Sequence, residues 1–417
     1  MKTPQLSRRG RDAPASPIRR LSALADSARA RGVHVHHLNI GQPDLATVPA
    51  MMAAYRTFPD ASVVYSPSQG TPELRAAWAA AYNRNGLAGT LAPCRADDVL
   101  ITVGGSEALL FAFAAVCDVG DAIMVAEPYY TNYHGIAHLL GVEVVAVATS
   151  VDDGFRVHPQ AVAAAMRPNV RAIVLPSPGN PTGAVLDADT LTALLAIAKS
   201  NDCFLITDEV YREFVYDAGP GAVAASALAI VGGEDYVIVV DSVSKRFAAC
   251  GARIGALVTR NSDIYAAALR FAQARLSPPT VDQYAALAAL TTPSPLMDAM
   301  IAEYRARRDA LMLMLAAVPG VVAPCPAGAF YLIADLPVDD ADHFCRYLLT
   351  TFSHDGETVM LAPAEGFYVT PGAGRSQVRI AYVLEIPSLH RAVACLAAGL
   401  QAYNAATVAS PGATAIA

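Results

Sequence analysis

One lysine lies where the chain could hold a carbonyl compound covalently. Lys245 follows the apolar run at 236–241, which predicts a buried strand. Two hydroxyl side chains, Ser242 and Ser244, and the guanidinium of Arg253 lie close to it in the sequence. Hydroxyls and a planar arginine fork suit a phosphate, and a lysine partly withdrawn from water is a Schiff-base nucleophile. The segment is therefore typical of a site for a phosphorylated carbonyl compound, although a Lys-Arg pair after a strand is more often a solvated surface feature.

Other polar residues also follow predicted strands. Asn180 lies in a Pro/Gly turn after an apolar run, and Asp208 ends another run with Tyr211 three residues later. The glycine pair at 104–105 joins a predicted strand to a helix, whose first N–H groups suit a phosphate. Because open α/β sheets bind ligands at the carboxyl ends of their strands, we expect these residues to share one site.

Taken together, these motifs resemble the class I aminotransferases, which depend on pyridoxal 5′-phosphate and have the fold type I architecture. The run at 242–255 resembles the lysine-attachment signature of that family. The resemblance extends from about residue 17 to residue 404 and follows the family order. It implies that Lys245 attaches the cofactor and later carries the substrate's α-proton.

The resemblance also implies how the rest of the cofactor is bound. Asp208 pairs with the pyridine nitrogen, which makes the ring an electron sink. Asn180 and Tyr211 bond the phenolic oxygen, and Tyr130 stacks on the ring. The implied phosphate contacts are Gly105, Ser106, Glu107, Ser242, Ser244 and Arg253.

Two further segments concern the substrate and a second subunit. Arg379 lies in an apolar strand, where an unpaired charge would be costly, and a carboxylate ligand would supply its partner. By resemblance, Arg379 binds the substrate α-carboxylate, helped by Asn180 and the backbone of Gly41. Tyr65 lies in a loop that resembles the one by which family members reach the phosphate of the other subunit. The resemblance thus implies a homodimer with shared active sites.

The function that the resemblance implies is transfer of an amino group from an L-amino acid to a 2-oxo acid such as 2-oxoglutarate. Similarity to bacterial aspartate-aminotransferase-like chains favours aspartate or a similar acidic donor. Some relatives that use acidic substrates carry a lysine at the position of Ser106, so this chain needs another cation for the distal carboxylate. Arg19 or Arg20 could supply it by closing over the substrate, and the alternative is that both are solvated helix residues.

Three alternatives to this function stay open. The same cofactor chemistry can end in lyase, cyclase or racemase activity, because these reactions begin with the same deprotonation. The donor can be an apolar or aromatic amino acid. A catalytically silent pyridoxal-binding regulator is a third possibility, but such regulators carry a DNA-binding domain, and the residues before Leu38 are too few for one.

Composition restricts the class of protein. With 417 residues, 54% of them hydrophobic, the chain can form two domains, and its net charge of −7 gives no basic face for a nucleic acid. No apolar run is long enough to span a membrane. Seven cysteines without a CxxC pair indicate reduced thiols and a cytoplasmic enzyme. His34 and His36 have no third ligand at a recognisable spacing, so we expect no metal site.

The order of the predicted elements indicates an α/β fold. Apolar strands alternate with helices through the middle of the chain, which predicts a mostly parallel sheet flanked by helices on both faces. The first helix is expected from Pro17 to Gly32. The predicted parts are a flexible arm (1–16), a smaller α+β domain (17–47 and 295–405), a large cofactor-binding domain (48–294) and a disordered tail (406–417).

Overall fold

The computed structural model describes residues 3–84, 93–219, 221–292 and 295–409. Its strands, in chain order, are β1 (His34–His37), β2 (Val99–Thr102), β3 (Ala122–Glu127), β4 (Glu143–Ala148), β5 (Val170–Pro176), β6 (Phe204–Asp208), β7 (Val237–Ser242), β8 (Gly255–Val258), β9 (Tyr331–Asp335), β10 (Glu357–Met360), β11 (Ala362–Pro363) and β12 (Gln377–Ala381). Its helices are α1 (Arg8–Asp12), α2 (Ser22–Ala30), α3 (Pro49–Arg56), α4 (Pro72–Arg84), α5 (Gly104–Val116), α6 (Asn132–Leu140), α7 (Pro159–Ala165), α8 (Ala188–Ser200), α9 (Val243–Arg246), α10 (Ser262–Arg275), α11 (Thr280–Thr291), α12 (Leu296–Ala316), α13 (Ala341–Thr350) and α14 (Ile386–Ala409).

The largest sheet has seven strands in the order β2-β8-β7-β6-β5-β3-β4. Every neighbouring pair is parallel except the two that include β8, which runs in the opposite direction. The predicted mostly parallel sheet is therefore confirmed. The carboxyl ends of β2, β3, β5, β6 and β7 consequently meet at one edge, where the loops after them carry the predicted site residues.

Both faces of this sheet are covered by apolar side chains. Along β7, Ile238 and Val240 belong to the core on one face, and Val239 belongs to the core on the other. Side chains alternate between the faces of a strand, so a strand covered on both sides must be apolar throughout. This is why the strands appear in the sequence as short continuous apolar runs.

A second group of elements comes from the two ends of the chain. Strand β1 pairs with β10 in parallel, and β11, β12 and β9 form an antiparallel sheet. A separate core fills this region, and it includes Tyr211 and Phe214 from the segment after β6. The predicted mixture of short strands and helices after residue 295 is confirmed. The proposed boundary at 294/295 stays a prediction, and residues 293–294 lie outside the described residues.

The structure changes the predicted limits of the terminal elements. The helix predicted from Pro17 is α2, and it begins at Ser22, because the carbonyl of Ile18 accepts a hydrogen bond from the Asn39 side chain at 2.9 Å instead of from a helical amide. Helix α1 occupies part of the arm predicted as flexible, and the Arg9 carbonyl accepts a hydrogen bond from His138 at 3.1 Å. Helix α14 continues to residue 409, and the rest of the predicted disordered tail lies outside the described residues.

No single described helix is both long enough and apolar enough to span a membrane. Helices α11 and α12 reach that length and apolar character only as a pair, and the two are bent by 87° relative to each other. The face of α11 that carries Ala285 and Ala286 is buried in the core of the large sheet.

A buried ion network lies beneath helix α9, which carries Lys245. Asp241, at the end of β7, accepts hydrogen bonds from Trp78 Nε1 at 2.9 Å and from Arg246 Nη2 at 2.6 and 2.8 Å. The same guanidinium lies 3.1 Å from a carboxylate oxygen of Glu213. Asp241 and Arg246 are both buried, so each charge is compensated only by this network.

We expect the substitution Arg246→Met to lower the free energy of unfolding by about 3–5 kcal/mol, because Asp241 would then be a buried charge without its cation. Urea unfolding followed by circular dichroism measures the change. The control is Arg29→Met, whose partner Asp26 is exposed, and its loss should stay below about 1 kcal/mol. Similar small losses in both variants would show that the network does not hold α9 in place.

Candidate active site

A cavity of about 510 Å³ lies at the carboxyl ends of the parallel strands. Lys245, Asp208 and Asn180 line it from the large sheet, and Arg379 lines it from β12. Gly41, which follows β1, lies on the same wall. The structure therefore brings together residues that are up to several hundred positions apart in the sequence.

Lys245 projects into this cavity from α9, directly after β7. Its Nζ donates a hydrogen bond to the carbonyl of Gly41 at 2.8 Å and another to Sγ of Cys250 at 3.6 Å. The rings of Tyr211 and Phe330 lie 5.9 Å from the same nitrogen. The amine is thus partly buried, oriented by a carbonyl and accessible from the cavity.

Asp208 is the acid at the end of β6, and it is buried. One of its carboxylate oxygens accepts a hydrogen bond from the Tyr133 hydroxyl at 3.0 Å. Burial raises the pKa of Asp208 to about 6, whereas the bond from Tyr133 and the charge of Lys245 act in the opposite direction. A positive group placed against Asp208 would therefore stabilise its ionised form.

The start of helix α5 forms one wall of an anion cradle. Gly105 and Ser106 line the cavity in the first helical turn, where N–H groups have no partner within the helix. Gly104 has φ +72°, and a Cβ there would lie 2.2 Å from Nη2 of Arg253, so only glycine fits. This close approach brings the guanidinium over the helix start.

The opposite wall of the cradle comes from the segment around Lys245. Ser242 and Ser244 line the cavity, and their hydroxyls are 2.8 Å apart. Arg253 donates hydrogen bonds to the carbonyls of Cys250 at 3.1 Å and Val103 at 3.3 Å, which fix the position of its guanidinium. A helix N-terminus, two hydroxyls and a guanidinium together suit a phosphate group.

Two predicted residues do not line the cavity. The Glu107 carboxylate turns back to accept a hydrogen bond from the Val103 amide at 2.7 Å, and it lies 3.3 Å from Arg275, so only the Glu107 backbone belongs to the helix start. Tyr65 is 78% exposed and is not among the residues that line the cavity of its own chain. Its role at a second subunit stays a prediction.

Arg379 is 1% exposed, and none of the ion pairs among the described residues includes it. Its Nη1 donates a hydrogen bond to the Asn180 side chain at 3.1 Å, and its Nη2 donates one to the carbonyl of Asn39. Its Nε is buried without a partner in the described structure. Burial lowers the pKa of Arg379, so an anion that supplied the missing charge would be bound strongly.

Tyr331, at the start of β9, is a site residue that the sequence did not single out. Its hydroxyl lies 2.8 Å from that of Tyr211 and donates a hydrogen bond to the carbonyl of Gly41 at 3.2 Å. Its ring lies 4.6 Å from the guanidinium of Arg379. A Cβ on Gly41 would be 1.8 Å from the Tyr331 hydroxyl, which explains the glycine. In the sequence, Tyr331 is an aromatic residue in an apolar strand, which equally fits a core position.

Tyr130 lines the cavity after β3, as predicted. Its hydroxyl accepts a hydrogen bond from Asn132 at 2.8 Å, and its ring packs edge-on against Tyr133 at 5.5 Å. Since Tyr133 also holds Asp208, the aromatic wall and the buried acid form one connected unit.

The structure places Arg19 and Arg20 in different surroundings. Arg20 lies 2.9 Å from the carboxylate of Asp342 and is engaged on the surface. Arg19 lines the cavity together with Ser16 and Ile18. Only Arg19 is therefore placed to meet a ligand.

The chain is similar to several known proteins over most of its length. It is 35% identical over 338 residues to the aspartate/prephenate aminotransferase of Thermus thermophilus, covering 79% of this chain and 84% of the relative. It is 30% identical to an aspartate aminotransferase of Rhizobium meliloti, covering 85% and 88% of the two chains.

Solved structures show the same likeness. The aspartate aminotransferase of Thermus thermophilus with maleate superposes with a TM-score of 0.84 at 32% identity, covering 95% of this chain and 100% of the other. An alanine aminotransferase of Pyrococcus furiosus gives a TM-score of 0.87 at 28% identity with the same coverage. The shared fold thus carries more than one donor specificity.

The family comparison covers most of the chain. Residues 33–396 match the family described as aminotransferase class I and II. This range begins just before β1 and includes every residue that forms the cavity wall except Ser16, Ile18 and Arg19. On these grounds the chain belongs to the class I and II aminotransferases and is a transaminase.

Proposed function

We propose that this aminotransferase binds pyridoxal 5′-phosphate at Lys245 and transfers the amino group of an acidic L-amino acid, aspartate first, to a 2-oxo acid such as 2-oxoglutarate. One observation supports this most directly. The buried guanidinium of Arg379, with its unpartnered Nε, faces the same cavity as Lys245 and Asp208. That combination suits a substrate with a carboxylate next to the amine that reacts.

The residues of the cavity fit the cofactor. Lys245 offers an amine, and the start of α5 with Arg253 offers an anion cradle. Asp208 offers a buried carboxylate, and burial raises its pKa to about 6, so a cation placed against it would stabilise its ionised form. When bound, the cofactor supplies an electron sink for the substrate α-carbon.

Lys245 and Asp208 perform the proton chemistry in this proposal. Nζ of Lys245 holds the proton that leaves the α-carbon, and the carbonyl of Gly41 keeps that nitrogen in position at 2.8 Å. Asp208 stays ionised next to a positively charged ring nitrogen, as a buried carboxylate does beside a cation. Tyr133 orients the acid through its 3.0 Å hydrogen bond.

Arg379 orients the substrate. Its two terminal nitrogens are already directed by Asn180 and Asn39, so the guanidinium can present a fixed planar fork to the α-carboxylate. Tyr331 lies against the guanidinium and closes that side of the cavity. A carboxylate fixed in this way places the α-carbon near Lys245, which is the main condition for efficient proton transfer.

For the distal carboxylate we propose Arg19. It lines the cavity, and the position where some acidic-substrate relatives have lysine is Ser106 here. The relatives from Thermus and Rhizobium are named for aspartate, and the Thermus structure contains maleate, a dicarboxylate. A guanidinium is well suited to such a group because it can bind a carboxylate with two parallel hydrogen bonds.

An apolar donor is the second candidate. Ile18, Ile40 and Leu109 also line the cavity, and the Pyrococcus structure is named an alanine aminotransferase. If Arg19 stays in solvent during the reaction, these side chains would favour a small apolar substrate. The choice between the two donors therefore depends on Arg19.

We also propose a homodimer with shared sites. Tyr65 projects into solvent beside Val63 and Val64, which are exposed apolar side chains, and the loop is held by a 2.7 Å hydrogen bond from Thr280 to the carbonyl of Val64. A contiguous exposed apolar segment of this kind is typical of a protein interface. A second subunit would cover it and receive Tyr65 at its phosphate cradle.

The substitution Lys245→Ala should lower kcat by at least about 10²–10⁴-fold, because it removes the amine that carries the proton in the proposed reaction. Its circular dichroism melt should match wild type. Lys199→Ala is the control, since Lys199 lies on α8 away from the cavity. Comparable activity of Lys245→Ala and wild type would contradict the assignment.

An assay of the wild type without an acceptor distinguishes aminotransfer from lyase and racemase activity. Without an acceptor, aspartate should yield one equivalent of 2-oxo acid per active site and then stop, because a transaminase needs its second substrate to continue. A lyase or racemase would keep turning over. Continued turnover without an acceptor would overturn aminotransfer from aspartate.

Arg19→Met should lower kcat/KM for aspartate by about 10–150-fold, which corresponds to the loss of a charge-assisted pair of about 1.5–3 kcal/mol. The kcat/KM for alanine should stay within about twofold of the wild-type value. Arg379→Lys should lower kcat/KM for both donors, since lysine lacks the planar fork that would bind the α-carboxylate common to them. Arg20→Met is the matched control and should leave the ratio of the two donors unchanged. An unchanged ratio in Arg19→Met, or a wild type that prefers alanine, would favour the apolar donor.

Shared sites can be tested with mixed dimers. Subunits that carry Tyr65→Phe and subunits that carry Lys245→Ala should be co-expressed with different affinity tags, and the mixed dimer isolated. At a limiting cofactor concentration it should show about half of wild-type activity, because one of its two sites is intact. Activity no higher than that of the Tyr65→Phe homodimer, or an active monomer in sedimentation, would exclude shared sites.

A further inference from the structure

A cluster of metal-ligating side chains lies at the end of β1 that is remote from the cavity. His34 and His36 are two positions apart on this strand, so their side chains lie on the same face. Strand β10 runs beside β1 with Glu357 directly opposite His34. The ligand atoms of His34, His36 and Glu357 all lie within 4.8 Å of one another.

The geometry of this cluster is fixed by its surroundings. His36 is 2% exposed, and its Nε2 donates a hydrogen bond to the Glu357 carboxylate at 2.9 Å. The His34 ring packs edge-on against the His36 ring at 4.6 Å. The backbone of His34 is bonded to Gly356 at 2.9 Å, and that of Glu357 is bonded to His354 at 2.8 and 2.9 Å. Little side-chain order would be lost on binding a ligand, since two of the three groups are already held.

We propose that His34, His36 and Glu357 bind a divalent transition-metal ion, with zinc as the first choice. Two imidazole nitrogens and one carboxylate oxygen form a donor set that zinc uses in proteins, with a fourth position left for water. His34 is exposed, so the site opens to solvent and the ion can enter. Calcium and magnesium would bind less well because they prefer oxygen ligands alone.

The charges around the cluster allow this ion. The Glu357 carboxylate is only partly buried, and the ion would take the place of the proton that His36 Nε2 shares with it. Arg391 lies 3.5 Å from the other carboxylate oxygen, Oε1, and its side chain is 50% exposed. It can orient Glu357 as an outer partner and can move toward solvent when the ion binds.

Sequence spacing does not reveal this cluster, because its third side chain comes from a distant segment. His36 and Glu357 are 321 residues apart, and only the pairing of β1 with β10 makes them neighbours. The ion would join these two strands. After β1 ends, the chain continues through Leu38 to Gly41, whose carbonyl accepts the hydrogen bond from Lys245. The site would therefore stabilise the strand that carries one wall of the cavity.

Zinc binding to the untagged full-length enzyme, loaded with its cofactor and freed of excess, tests this proposal. Isothermal titration calorimetry with zinc chloride should detect about one bound zinc ion per chain, and zinc should raise the melting temperature of the protein. His34→Ala and Glu357→Gln should each weaken binding at least about tenfold, which corresponds to about 1.4 kcal/mol. His34 is exposed, and glutamine has the shape of glutamate, so both variants should keep the wild-type circular dichroism spectrum.

His158→Ala is the matched control. His158 forms an exposed pair with Asp153 at 2.7 Å on another surface, and it should leave zinc affinity unchanged. A wild type that binds no zinc at about millimolar concentration would overturn the proposal. So would equal affinity in the wild type, His34→Ala and Glu357→Gln, because the ion would then bind elsewhere.

Discussion

The buried guanidinium of Arg379 is the constraint on which the rest of the cavity depends. A charge placed in an apolar strand is costly unless its donors are satisfied, and each terminal nitrogen of Arg379 donates one hydrogen bond, to Asn180 or to Asn39. The N–H of Nε has no partner among the described residues. Because Asn180 follows β5, Asn39 follows β1 and Arg379 lies in β12, the same interaction connects the seven-stranded sheet, the antiparallel sheet and the segment after β1.

Two acids at the same edge of the large sheet differ in how their charges are compensated. Asp208 and Asp241 both lie at or near the carboxyl ends of buried strands. Asp241 is paired with the Arg246 guanidinium and also accepts a hydrogen bond from Trp78, whereas Asp208 accepts a hydrogen bond from the neutral phenol of Tyr133. Burial raises the pKa of Asp208 to about 6, and a cationic ligand would oppose that effect.

The parts of the site that the sequence could predict are those set by short segments. A lysine after a strand, a glycine turn before a helix and an arginine in an apolar strand are local signals, and their positions at one sheet edge follow from the parallel topology. Tyr331 and Glu357 could not be found in this way. Their roles depend on partners about 290 to 320 residues away, Gly41 for Tyr331 and His36 for Glu357, and no local pattern encodes such a pairing.

The start of helix α2 at Ser22, instead of at Pro17, connects the fold to the proposed choice of substrate. If the helix began at Pro17, the carbonyl of Ile18 would be used within it and Asn39 would lose its partner. The open turn instead sends Arg20 to Asp342 on the surface and leaves Arg19 at the cavity. In relatives that have lysine at the position of Ser106, on helix α5, that lysine would bind a distal carboxylate from a fixed position. Arginine on a turn next to the terminal arm can adjust its position, so under the proposed function the donor specificity would depend on how that turn closes over the substrate.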